Sequence, residues 1–243
     1  MQPLADIDAM NFEERVVVLT GAAGNLGCAV AHAFRERGAR LVLLDRHIEP
    51  SSESLTLDPT SEMRLTVDLT DASQVAYAVS NVIGQFSRID VLCNLAGGFR
   101  MGDAVHETDP ETWRFLFDLN ARSVLNTATA VVPYMLAAGR GKIVNVGAFA
   151  AQRGMAQMGA YVASKAAVVR LTESMAAELR ERNINVNCVL PTILDTPQNR
   201  AAMPNNDPSR WVSPEDLAHV ILFLASGHAR AVHGAAIPVT ALS

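Results

Sequence analysis

Nowhere do the 243 residues hold an uninterrupted apolar run of membrane-spanning length, so no transmembrane helix is expected. Cysteine is scarce: Cys28, Cys93 and Cys188 are scattered and odd in number. They fit neither a disulfide framework nor a zinc site, and a reducing compartment, the cytoplasm, is the simplest home. His106, His219, His228 and His233 lack ligand spacing or nearby acids, so no metal is expected. Basic residues are outnumbered, 20 Lys and Arg against 25 Asp and Glu, and the net charge of −5 argues against a nucleic-acid partner. The first fifteen residues carry Asp6, Asp8, Glu13 and Glu14 and no basic start before an apolar stretch, which is not the pattern of a secretory signal. Aromatic residues are few, at 5%, while hydrophobic residues make up 49%. An aliphatic core of that kind suits parallel strands, which are buried on both faces.

Short β-branched runs alternate with longer amphipathic stretches. Strands are expected at Arg15–Thr20, Arg40–Asp45, Met63–Val67, Ile89–Asn94, Lys142–Val146, Ile184–Leu190 and Ala235–Val239. Between them lie a helix from Leu26 to Arg37, closed by Gly38 at the position after its cap, and one over Asp71–Phe86 with Asp71 as N-cap. A long helix from Pro110 to Ala138 has Asp109 as N-cap and Gly139 as its end, and Pro133 inside it should kink or shorten it. A further helix covers Gly159–Arg182, and another starts at Ser213-Pro214-Glu215. This alternation predicts an α/β Rossmann fold: a doubly wound, seven-stranded parallel sheet with helices on both faces. No repeat, low-complexity tract or linker interrupts it, so one domain is expected over residues 15–243 behind an extension at 1–14, with an irregular active-site flap over 191–212.

Thr20-Gly21-Ala22-Ala23-Gly24-Asn25-Leu26-Gly27 joins the first strand to the first helix. Glycines let backbone approach a pyrophosphate, and a helix N-terminus offers unpaired N–H groups and partial positive charge. A glycine-rich turn alone is a weak signal; one between a strand and a helix is a dinucleotide-binding signal. Asp45 ends the second strand, where a carboxylate accepts hydrogen bonds from the adenosine ribose and repels a 2′-phosphate. That favours NAD(H). The adjacent Arg46 works the other way, so NADP(H) stays open.

Tyr161 and Lys165 stand four residues apart and share one face of a helix. A free tyrosine, with a pKa near ~10, is a poor acid–base catalyst at neutral pH. A neighbouring ammonium and an oxidised nicotinamide both stabilise the phenolate, so a lowered value is expected here. For an isolated pair an ordinary helix surface would be the better explanation. Here the pair follows a dinucleotide-binding half and the fifth strand, and Lys165 is long enough to reach a nicotinamide ribose.

The glycine turn, Asp45, Asp68-Leu69, Asn94-Leu95-Ala96-Gly97, Asn120, Tyr161-x-x-x-Lys165 and Pro191 to Thr196 occur in the order and spacing of the short-chain dehydrogenase/reductases. The sequence resembles that family over about residues 15–240. The resemblance implies that Asp68 and Leu69 flank the adenine, and that Asn94, Ala96 and Gly97 brace the sheet beside the cofactor. It implies that Asn120 kinks its helix and holds a water in a proton relay to Lys165, and that Ile193 and Thr196, after Pro191, contact the nicotinamide carboxamide. Two departures stand out. The family's usual turn has glycine where Asn25 stands and another residue at Gly24. Its catalytic serine falls on Ala148, thirteen residues before Tyr161, so the donor to the reacting oxygen is missing. One such donor is worth on the order of a few kcal/mol of transition-state stabilisation. Both departures, and the run from Leu190 to Trp211, are similar to the dihydropteridine-reductase subgroup.

Three functions follow as expectations: an NADH-dependent reductase of a C=N or C=O acceptor such as a quinonoid dihydropteridine; a carbonyl reductase or alcohol dehydrogenase of small ketones; and a non-catalytic NAD(H)-binding sensor, disfavoured by Asn120, Tyr161 and Lys165. Gln152, Gln157 and Thr192 are candidates to replace the serine. Phe99, Met101, Phe149, Met155, Met158 and Met203 suggest an apolar pocket or, equally, loop anchors packed on the core. Arg100 either meets an anionic substrate group or is simply solvated. The long helices carry wide apolar faces, and by the resemblance a homodimer or homotetramer is expected.

Overall fold

The computed structural model describes residues 10–48 and 61–243; Asp6 and Asp8 lie outside the described residues. Seven strands form one all-parallel sheet in the order β3-β2-β1-β4-β5-β6-β7. They are β1 (Val16–Thr20), β2 (Arg40–Asp45), β3 (Glu62–Thr66), β4 (Val91–Asn94), β5 (Gly141–Val146), β6 (Ile184–Pro191) and β7 (Ala236–Val239). Each strand falls within two residues of its expected span. Alternate side chains leave a strand on opposite faces. Val17 and Leu19 therefore enter a core with α1 (Asn25–Arg35) and α7 (Pro214–Ala225), built around Phe34, Leu217 and Ile221. Val16 and Val18 enter the other core, with α2 (Ala72–Phe86), α4 (Ser123–Ala138) and α5 (Gly159–Leu179), through Val79, Val131, Met135 and Leu179. Phe12, ahead of β1, is buried edge-on against Phe34 at 4.7 Å. Full burial of each such side chain contributes about 1.5–3 kcal/mol, so the two aliphatic layers are the main source of stability.

The helix starts follow their caps. Asp71 accepts from the N–H groups of Ser73 and Gln74, and Asp109 from those of Glu111 and Thr112. The structure departs from the expected spans in four places. The helix expected over 110–138 is broken into α3 (Pro110–Phe117), a π-helical turn (Asp118–Arg122) and α4, and the irregularity is centred on Asn120. Pro133 does not shorten α4, which runs on to Ala138. Both Pro133 and Thr129, whose carbonyl loses its helical donor, are exposed, so that carbonyl is open to solvent. Gly38, with φ of +77°, lies two residues past the Glu36 cap of α1 rather than directly after it. The flap is also less irregular than expected: Thr196 caps a short helix α6 (Pro197–Ala202), and Leu194 bridges Val212. Among the described residues no helix is long and apolar enough to cross a membrane.

Candidate active site

The strand order reverses between β1 and β4, and the crevice beyond their carboxyl ends is where open α/β sheets bind ligands. Thr20, the last residue of β1, locks the two ends together: its hydroxyl accepts from the N–H groups of Leu95 at 3.0 Å and Ala96 at 3.2 Å. Gly21 has a φ of +65°, and a Cβ there would stand 2.8 Å from the Ala96 backbone. A Cβ on Gly27 would meet the Gly21 carbonyl oxygen at 2.2 Å. Both positions therefore need glycine, and both pull α1 tightly against the turn. Gly24 is the N-cap of α1 and brings no side chain to cap it, so the amino end of the helix stays open to an anion. Leu26 is buried in the core beneath. Asn25, where the family has glycine, donates from Nδ2 to Oε1 of Gln198 in α6 at 2.8 Å and ties the turn to the flap. This cradle fits a dinucleotide pyrophosphate.

Asp45 sits beside the cradle. Its carboxylate accepts from the N–H of Ala23 at 3.0 Å and of His47 at 3.2 Å, which fixes it at the end of β2. Arg46 turns to Asp68, placing Nη2 3.2 Å from both carboxylate oxygens. Hydrogen bonds from the Thr70 hydroxyl and N–H, with a smaller contribution from Arg46, hold the Asp68 carboxyl below its usual value. Leu69 is buried, and its carbonyl accepts from Asn126 of α4.

Across the crevice, Tyr161 lies in the first turn of α5 and Lys165 one turn on. Lys165 is buried and donates from Nζ to the Val146 carbonyl at 2.9 Å. Asn120 opposes it: Oδ1 accepts from the Gly98 N–H at 2.8 Å, while Nδ2 donates to the Gly98 carbonyl and to the Ser164 hydroxyl at 2.9 Å. Ser164 in turn donates to the Tyr161 carbonyl. The missing side chain of Gly97 is what lets these groups meet, because a Cβ there would stand 2.9 Å from Lys165 Nζ and 3.0 Å from Asn120 Oδ1. Asn94 lies deeper, where a buried chain of side-chain bonds at 2.8 Å runs from Thr127 through Asn94 and Asn145 to Thr172 and pins α4 and α5 to the sheet. The π-helical turn has a local cause: Asn120 bonds the loop after β4 on one side and α5 on the other.

Burial, not neighbouring charge, dominates the acid–base properties. It pushes the Tyr161 phenol up to about 12 and the Lys165 ammonium down to about 8. The lowered tyrosine was expected with both an ammonium and an oxidised nicotinamide beside it; the protein alone shows the opposite shift. In the protein alone Lys165 is fully enclosed and spends one N–H on a backbone carbonyl, and desolvation of Tyr161 outweighs it. Cys188, beside Lys165, is pushed up to about 11 by burial and stays a thiol. Ala148 is buried at the mouth-facing end of β5, before a tight turn over Phe149–Gln152. Thr192 is engaged elsewhere, against Thr240 and Ser243. Gln152 and Gln157 are exposed on the loop after β5.

The structure thus places Gly21, Gly24, Asn25, Gly27, Asp45, Ala96, Gly97, Asn120, Tyr161 and Lys165 at the carboxyl end of the sheet, about one crevice. Pro191 ends β6, Ile193 accepts through its carbonyl from the Val212 N–H at 2.9 Å, and Thr196 is buried as the cap of α6. Sequence reasoning missed Ser164 and Gln198. The only available signal for Ser164 was that it precedes Lys165, which does not reveal a bond to residue 120; nothing local pointed to Gln198. Arg100 is neither free nor aimed inward: it stacks 4.1 Å over the Phe115 ring and donates to Thr112. Among the described residues no three His, Cys, Asp or Glu side chains cluster as a metal site.

A family model described as enoyl-(acyl carrier protein) reductase matches residues 21–241. The chain is 34% identical to a 3-oxoacyl-[acyl-carrier-protein] reductase of Thermotoga maritima, covering 95% of this chain and 98% of that one. It is 35% identical to cis-4-hydroxycyclohexanecarboxylate dehydrogenase of Sinomonas cyclohexanicum, with 94% and 96% covered. Its structure matches a 3-ketoacyl-(acyl-carrier-protein) reductase of Brucella melitensis complexed with NADH, with a TM-score of 0.84, 26% identity and 94% and 98% of the two chains covered.

Proposed function

The chain belongs to the short-chain dehydrogenase/reductase family and is an NAD(P)-dependent oxidoreductase, and from that premise we propose that it interconverts a carbonyl compound and its alcohol with NAD(H), moving the proton through Tyr161. The observation that carries this reading is the meeting of Lys165 and Asn120 at Gly97, with Tyr161 one helical turn before Lys165 and tied to Asn120 through Ser164. The cradle from Gly21 to Gly27 would hold the pyrophosphate, Asp45 the adenosine ribose, and Lys165 the nicotinamide ribose. A bound NAD(H) supplies the hydride for carbonyl reduction and accepts it for alcohol oxidation. Tyr161, protonated at neutral pH, donates its proton to the oxygen as a carbonyl is reduced. Lys165 keeps N–H groups beyond the one given to Val146, and its charge stabilises the phenolate left behind. The position of Tyr161 in the first turn of α5 adds the partial positive charge of the helix N-terminus. Asn120 holds the Gly98 loop and Ser164 in place and would position a water that returns a proton to Lys165 as the lysine gives one to the phenolate.

NADH would be the preferred form, because Asp45, fixed at the end of β2 beside the cradle, would meet the ribose and Arg46 is already paired with Asp68 rather than free for a 2′-phosphate. The relatives named above act on a 3-oxoacyl chain and on a ring alcohol, which fits a carbonyl–alcohol pair better than a pterin. The reading as a dihydropteridine-like reductase rests on Ala148, since an electron-poor acceptor needs less help from a donor. A homodimer or homotetramer through α4 and α5 follows from apolar side chains left exposed on α4, Leu125 and Tyr134 among them. The unpaired Cys28, Cys93 and Cys188 fit the cytoplasm.

The test is a panel of ketones, their alcohols and a quinonoid dihydropterin, assayed with both nicotinamide cofactors. Turnover of a ketone–alcohol pair, at least about tenfold better with NADH than NADPH, is the expected result. Turnover of the dihydropterin alone moves the assignment to activated acceptors. Tight NADH binding with no turnover anywhere makes the protein a sensor.

A further inference from the structure

Two loops frame Tyr161, and both are apolar where they face outward. The loop after β4 carries Phe99, Met101 and Val105; the loop after β5 carries Phe149 and Met155. They meet in space. The Gly102 N–H donates to the Gln157 carbonyl at 2.9 Å, and a Cβ on Gly159 would stand 2.7 Å from a Val105 methyl. Phe99 sets its ring edge-on to Tyr161, with centroids 4.8 Å apart at 84°. If these side chains were loop anchors they would be buried. Instead Phe99 is 55% exposed, Met101 57% and Met155 41%. Of the twelve large apolar side chains exposed among the described residues, five stand on these two loops.

The polar groups at the mouth do not offset this surface. Ala148 brings no donor, Thr192 is bonded to the chain's own last residues, and Arg100 is drawn onto Phe115 and Thr112. Gln152, Arg153 and Gln157 on the loop after β5 are exposed. A hydroxyl entering against Phe99 and Met155 loses water without gaining a partner, whereas an apolar group covers surface that water now wets.

We propose that the site selects a carbonyl carried on an apolar ring, or the matching ring alcohol, over polyhydroxylated chains, with Phe99 and Met155 as the specificity-determining side chains. Phe99 stands edge-on to the reacting phenol, and Met155, exposed on the adjoining loop, offers an adaptable apolar side chain. This rests on the role of Tyr161 proposed above. Selection is decided at binding, before any proton moves, and it can be read without turnover.

The experiment uses the protein saturated with NADH, to which an alcohol binds without reacting. Affinity for cyclohexanol and for xylitol is measured by thermal shift and by quenching of NADH fluorescence. The expected result is cyclohexanol at least about tenfold tighter than xylitol. Phe99→Ala and Met155→Ser should each erode cyclohexanol binding by about tenfold, with Phe99→Leu restoring most of it and xylitol affinity unmoved. The proposal is overturned if xylitol binds as tightly as cyclohexanol, or if both variants, shown folded by an unchanged thermal transition, bind cyclohexanol like the wild type. Turnover is then assayed with NAD. Cyclohexanol that binds selectively but is never oxidised counts against the proton-transfer role of Tyr161 and leaves the selectivity standing.

Discussion

The turn between β1 and α1 and the first two turns of α5 face the same crevice and are built by opposite means. The turn works through missing side chains: Gly21 and Gly27 leave room for backbone to touch backbone, and Gly24 leaves the helix end uncapped. The start of α5 works through a side chain placed where it is costly to keep, a lysine enclosed and held on the Val146 carbonyl. The first region is therefore sensitive to any added atom, whatever its chemistry. The second is sensitive to charge and proton position. Gly97 belongs to both, since its missing side chain seats the charged group.

That contrast is sharpest where one atom is added. Gly27→Ala drives a methyl into the Gly21 carbonyl, and NADH affinity should fall by about a hundredfold, the equivalent of ~3 kcal/mol of forced rearrangement. Fluorescence titration of NADH checks this; an unchanged affinity would mean that the turn gives way. A smaller effect is expected where charge alone is removed. Asp45→Ala should narrow the preference for NADH over NADPH by about tenfold, measured as the ratio of kcat/KM values, because one hydrogen-bonded carboxylate is lost while the backbone cradle stays. The smallest effect is on stability. Lys165 is held near 8 against a usual 10.5, a cost on the order of 3 kcal/mol at neutral pH, part of which its bond to Val146 returns. Lys165→Met should therefore raise the Tm of the cofactor-free protein by roughly 2–4 °C at pH 7. The sign follows from proton binding: between pH 8 and about 10.5 the unfolded chain holds the proton that the folded one has lost. Wild-type stability thus rises across that window and the advantage of the variant shrinks. Calorimetry at pH 7 and 9.5 reads it, and a variant less stable than wild type at pH 7 would contradict the cost assigned to the buried ammonium.

The two regions were also unequally legible in the sequence. Alternating β-branched runs gave the seven strands to within two residues and the caps gave most helix starts, because period and capping are local properties; the break at Asn120 was not local. The glycine turn and Asp45 were legible for the same reason, as a short span between a strand and a helix. The α5 side was legible only in its names. Tyr161 and Lys165 stand at helical spacing, yet the bonds that arrange them come from Val146, Gly98 and Ser164, brought in by other elements. No spacing rule reports which carbonyl a lysine will find. The rise of the tyrosine value in the protein alone was not legible for that reason, since charge was countable along the chain and burial was not. The pocket residues were ambiguous for the same cause: Phe99 and Met155 read as anchors or lining until their exposure separated the two.

The division of labour between cradle and phenol is tested most directly by Tyr161→Phe, with NADH affinity and turnover of the best carbonyl substrate measured on the same sample. The account predicts NADH binding within about twofold of wild type and kcat lower by about a hundred- to ten-thousandfold, the loss of one positioned proton donor. A variant that keeps a tenth or more of wild-type kcat would contradict it.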